Sequence, residues 1–153
     1  MSIELMPHQV AGVAFLKDCD SALLHWDMGT GKTYPTVAAF GDVLEDGVVV
    51  WIGPAVSRRN VAREIEAVHG SRFTTKVIEK GSDKLEGADV YILSYDLVTR
   101  DTVLERLFNL SIDVLVLDEV HYLKSHKAKR TTRILGHQGL AARSKYVWGL
   151  TGT

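Results

Sequence analysis

The residues able to do chemistry cluster at two places along the chain. The first is Gly29-Thr30-Gly31-Lys32-Thr33, inside the stretch HWDMGTGKTYPT (25–36). The strict phosphate-loop pattern, G-x-x-x-x-G-K-[ST], asks for glycine at position 26, where this chain has Trp26. The remainder of the pattern is present and carries its physics. Glycines let backbone N–H groups turn toward phosphate oxygens, and the N-terminus of a following helix adds the positive end of its dipole. Lys32 would neutralise the β- and γ-phosphates of a nucleotide, and the Thr33 hydroxyl would ligate Mg2+. Pro35 is no obstacle, because a proline in the first helical turn removes an N–H that lacks an intrahelical partner. The second place is VLVLDEVH (114–121). Here Asp118 ends an apolar run, where a carboxylate would hold Mg2+ through its water shell. Glu119 is placed to orient or deprotonate an attacking water as a general base.

For these groups to meet, the chain must bring the ends of several elements together, and its pattern alternates in the way this requires. A first helix opens near Pro7, with Val10, Val13 and Ala14 on one face. SALLHW (21–26) reads as a short buried strand, followed by a helix from Lys32 to about Leu44. VVVWIG (48–53) is a continuous apolar run, as strands covered on both faces tend to be. A helix over about Arg58–His69 carries Val61, Ile65 and Val68 at helical spacing. TTKVI (74–78) and DVYILS (89–94) read as strands, the second followed by a helix with Leu104, Leu107 and Phe108. IDVLVLDE (112–119) is the strongest strand, and a basic loop with a helix near Thr131–Gly136 leads to the last, KYVWGL (145–150). Strands alternating with helices predict an α/β fold with a mostly parallel sheet covered on both sides.

Composition bounds the reading without choosing the chemistry. The 153 residues make one ordinary domain, with 46% hydrophobic and 24% charged residues. A net charge of −1 neither advertises nor excludes a nucleic-acid partner, so any basic surface must be local. Cys19 is the single cysteine, so no internal disulfide forms, which suits a reducing cytoplasm. No apolar run reaches membrane-spanning length, and the N-terminus does not read as a signal peptide. The composition therefore leads to the expectation of a reducing cytoplasmic setting, with no membrane partner and no secretion.

Five stretches occur in one order with sensible spacing: LMPHQVAGVAFL (5–16), DMGTGKT (27–33), YILSYDLV (91–98), DEVHYLKS (118–125) and WGLTGT (148–153). Together they resemble the first RecA-like lobe of superfamily-two helicases, and most closely the Swi/Snf-type double-stranded DNA translocases. That family's loop carries a small or acidic residue at position 26, so a missing glycine there is expected. Trp26 and His25 depart from its pattern. The resemblance covers essentially the whole chain and implies a RecA-like P-loop NTPase fold, a three-layer sandwich, over 1–153. It also implies roles residue by residue. Gln9 matches the adenine-reading glutamine. His121 closes the DExH box and links the nucleotide site to motif III. Thr151, Gly152 and Thr153 match motif III, whose hydroxyls relay nucleotide state toward the nucleic acid.

On the nucleic-acid side, GPAVSRRNVAREI (53–65) resembles motif Ia, where Ser57, Arg58, Arg59 and Asn60 would meet the phosphate backbone by charge and hydrogen bonding. Ser94 and Tyr95 match a second backbone-contacting motif. The most basic stretch, KSHKAKRTTR (124–133), includes Lys127 and Arg130 and in the family lies near the track.

The resulting expectation is an ATP- and Mg2+-binding lobe of a DNA-dependent ATPase acting on duplex DNA. A second RecA-like lobe, from the same gene product or a partner chain, would complete the engine, so the single lobe is expected to be weakly active or inactive. Two alternatives stand beside it: a non-catalytic nucleic-acid- or protein-binding module derived from such a lobe, and a P-loop small-molecule kinase. A kinase needs an arginine-bearing lid after the acidic strand, where this chain has a basic segment leading to LTGT.

Overall fold

The computed structural model describes residues 21–25, 33–123 and 129–151. The expected first helix, Gln9, Cys19, Trp26, Gly29 to Lys32, Lys127, Gly152 and Thr153 lie outside them. Among the described residues six strands form one sheet: β1 (Ser21–His25), β2 (Val48–Gly53), β3 (Thr75–Val77), β4 (Val90–Ser94), β5 (Ile112–Leu117) and β6 (Ser144–Thr151). Their spatial order is β1-β6-β5-β2-β4-β3, and every pair is parallel. The expected mostly parallel sheet is borne out, and among the described residues every strand pair is parallel.

Alternation along the strands builds the two cores. Val49 and Trp51 of β2, with Val114 and Val116 of β5, face one side. There they meet Val37 and Phe40 of α1 (Thr33–Val43) and Val61 and Ile65 of α2 (Arg58–His69). Val50 and Ile52, with Leu115 and Leu117, face the other. That side is covered by α3 (Tyr95–Val98), α4 (Asp101–Phe108) and α5 (Lys129–Leu135), through Val98, Leu104, Leu107 and Ile134. Because both faces are buried, β2 reads as an unbroken apolar run, and β5 does so from Val114 to Leu117. The chain travels outward from β1 through β2 to β3 and then returns from β4 through β5 to β6. With right-handed crossovers, the outward run places its helices on one face and the return run on the other. The result is the expected three-layer α/β sandwich.

Two polar ties fix the connections. Asp113, buried within β5, accepts from the amides of Glu45 (2.8 Å) and Gly47 (3.0 Å), which anchors the turn between α1 and β2. Asp83 accepts from the amides of Glu79 (2.9 Å) and Lys80 (3.1 Å), and Arg106 donates to the carbonyls of Gly81 and Asp83. These bonds close the long connection from β3 to β4. Among the described residues no helix is long and apolar enough to cross a membrane.

Candidate active site

In a parallel sheet all strands finish at one edge, and the candidate chemistry collects there. β1 ends at His25 beside Thr151 of β6, while Leu117 of β5 pairs with Gly149 of β6. The strand that ends in Thr151 therefore lies between the strand leading into the glycine loop and the strand leading into Asp118. After the loop, Thr33 opens α1, with Pro35 buried as its third residue.

Asp118 is buried against the end of β2. Its amide donates to the Ile52 carbonyl at 2.7 Å. A Cβ added at Gly53 would lie 3.1 Å from the Asp118 Cβ and 3.6 Å from its Oδ2, so glycine leaves this carboxylate room to sit against the strand. Glu119 follows with φ 51°, in the left-handed region, and its amide donates to Asp118 Oδ1 at 2.9 Å. His121 Nδ1 is buried and lies 3.4 Å from Glu119 Oε2, without the alignment of a hydrogen bond. The His121 ring meets Tyr122 edge-on, with centroids 5.1 Å apart.

A third carboxylate belongs to this site and was missed from the sequence. Glu64, half-buried on α2, accepts a hydrogen bond from the Thr33 side chain and feels the charge of Asp118. Burial pushes its carboxyl above the ordinary carboxylate range; the Thr33 bond opposes this, and Asp118 reinforces it. Its signal was present, since Glu64 stands three residues after Val61 and next to Ile65, on the margin of the apolar stripe. A carboxylate there must meet something polar. Thr33, Asp118 and Glu64 offer hard oxygen donors of the kind Mg2+ takes, usually one or two carboxylates alongside waters and substrate phosphates. Among the described residues no group of three His, Cys, Asp or Glu would hold a metal alone. The donor set thus fits an ion shared with a nucleotide.

The residues assigned to nucleic acid are differently disposed. The Ser57 hydroxyl donates to the Pro54 carbonyl at 2.9 Å. Arg58 donates to the carbonyls of Ala55 and Ile78, Arg59 pairs with Glu79, and Asn60 Oδ1 accepts from Arg63 at 3.0 Å. The head of α2 is thereby laced to the segment after β3. Ser94 and Tyr95 were grouped with the phosphate contacts, yet both side chains are buried. Ser94 caps α3 by accepting from the Leu97 amide, and the Tyr95 hydroxyl donates to the Asp118 carbonyl at 2.7 Å. Arg130 lies in α5 with its side chain outside the described residues. Its neighbour Arg133 holds that helix to the Thr99 carbonyl and to Asp101.

Comparison with known proteins decides the family. The SNF2-related domain matches residues 8–153. The chain belongs to that family. Among curated relatives it is 30% identical over 139 residues to the human DNA annealing helicase and endonuclease ZRANB3, covering 86% of this chain and 13% of that protein. It is 28% identical over 175 residues to the human DNA repair and recombination protein RAD54B, covering 97% of this chain and 18% of that protein. The chain therefore spans less than a fifth of either relative. In structure it resembles the SWI2/SNF2 ATPase core of Sulfolobus solfataricus in complex with dsDNA, with a TM-score of 0.83 at 26% identity. That match covers 100% of this chain and 33% of the other. The fold is thus the RecA-like fold of an SNF2-type N-terminal lobe.

Proposed function

We propose that this chain is the ATP- and Mg2+-binding N-terminal lobe of a Swi/Snf-type motor that works on duplex DNA. The observation that carries the reading is the meeting of Thr33, Asp118 and Glu64 at the strand ends, with Glu119 presented beside them. The likeness to a core solved with dsDNA supports duplex DNA as the partner. In this reading Gln9 selects adenine, while Gly29, Thr30, Gly31 and Lys32 cradle the phosphates. Thr33 and Asp118 hold Mg2+, and Glu64 keeps the Thr33 hydroxyl in place. The ion, when bound, neutralises charge on the phosphate oxygens. Glu119 takes the proton of the attacking water, and His121 and Thr151 carry the state of the site toward motif III. Stabilising the transferring phosphoryl group also calls for an arginine, which a second lobe supplies.

ATP turnover by the 153-residue chain, with and without duplex DNA and beside Lys32→Ala, tests this. Nucleotide binding that depends on Lys32, with little or no turnover, is the expected result. Nucleotide binding indifferent to Lys32 would overturn the reading. DNA-stimulated turnover lost in the variant would keep the ATPase assignment and show that the chain builds a complete site alone.

A further inference from the structure

The peptide group joining Asp118 to Glu119 is held at both of its polar atoms. Its carbonyl accepts from the Tyr95 hydroxyl at 2.7 Å, and its N–H donates to Asp118 Oδ1 at 2.9 Å. The preceding amide is fixed as well, by the bond from Asp118 to the Ile52 carbonyl. Glu119, which leaves this clamped peptide, is the one non-glycine residue with positive φ among those described. A residue bearing a side chain adopts that region only where its surroundings impose it. The Tyr95 ring is 2% exposed and sits 5.5 Å from the Tyr122 ring, centroid to centroid. Packing alone would be served by phenylalanine; the hydroxyl is what reaches the acidic turn.

We infer that Tyr95 is a positioning residue for Glu119, pinning the Asp118 carbonyl and so setting the plane from which the Glu119 side chain departs toward His121. This rests on the reading of Glu119 as the group that takes a proton from water. Ser94 supports the arrangement by capping α3, which fixes where Tyr95 starts the helix.

The test is Tyr95→Phe in the isotopically labelled chain, read by NMR. The expected result is faster exchange of the Glu119 amide, by about tenfold or more, from loss of one buried hydrogen bond. The Glu119 Cα shift should also leave its left-handed position, while amides within β4 and β5 keep their protection and Lys32-dependent Mg·ATP binding is retained. An unchanged Glu119 signal would overturn the inference, as would an equal loss of protection throughout β4 and β5, which marks Tyr95 as ordinary core. Where the lobe turns over ATP, kcat should fall with KM unchanged. Glu119→Gln in the same assay separates the two claims. If that variant hydrolyses normally while Tyr95→Phe still frees the Glu119 backbone, the role given to Glu119 fails and the positioning stands.

Discussion

At the scale of single residues, Gly53 and Glu119 show how tightly the acidic turn is set. Replacing Gly53 by alanine puts a methyl group 3.1 Å from the Asp118 Cβ, tighter than ordinary contact, so the strand end or Asp118 must shift. Gly53→Ala is expected to destabilise the chain by about 1–3 kcal/mol in urea unfolding, and to weaken the Mg2+-dependent part of nucleotide affinity more than the Mg2+-independent part. Glu119→Gln should leave nucleotide binding intact and, in any assembly that turns over ATP, lower kcat by about a hundredfold or more. Lys32, Asp118 and Glu119 could be proposed from the sequence because the chemistry expected of them depends on local spacing. Glu64 was not read, since its partner Thr33 lies far away along the chain and only the packing of α1 on α2 brings them together. Tyr95 was assigned by resemblance to a backbone-contacting motif, and nothing in the spacing announced that its hydroxyl turns inward to the Asp118 carbonyl.

At the scale of elements, apolar runs (VVVWIG and VLVL) marked β2 and β5 almost residue for residue, because strands buried on both faces are not obliged to alternate. The helix Tyr95–Val98 escaped notice because four residues are too few to show a helical period. Connections were the least legible part, since their ties are single side chains. Asp113→Ala would leave the amides of Glu45 and Gly47 without their acceptor, and a loss of about 1–3 kcal/mol in chemical denaturation is expected. Asp83 supplies a pH-dependent tie. The amides of Glu79 and Lys80 hold its carboxyl below the ordinary carboxylate range, favouring the charged form. Its contribution is therefore present above the ordinary range and fades as pH falls through the depressed value. Asp83→Asn should melt slightly lower than the parent at neutral pH, and the two melting curves should converge in strong acid.

At the scale of the whole molecule, the net charge of −1 means that the proposed DNA binding must come from a local patch. Arg58, Arg59 and Arg133 serve internal ties; in the proposed reading the basic segment 124–133 supplies attraction for the phosphates. Duplex affinity is accordingly expected to drop by about tenfold or more between about 50 and 200 mM salt, measured by fluorescence anisotropy, and to show little preference for sequence. One feature of the sheet bears on how the lobe comes into being. Ser21 of β1 pairs with Val147 of β6, and β1 reaches the rest of the sheet through that strand. On the ribosome, β2 to β5 emerge long before β6 and can assemble without it. The strand that leads into the glycine loop must then wait, unpaired, for a partner synthesised far later. In the proposed reading, the acidic turn is thus in place before the strand leading into the glycine loop has its partner, and a nascent chain lacking β6 cannot yet hold ATP between them.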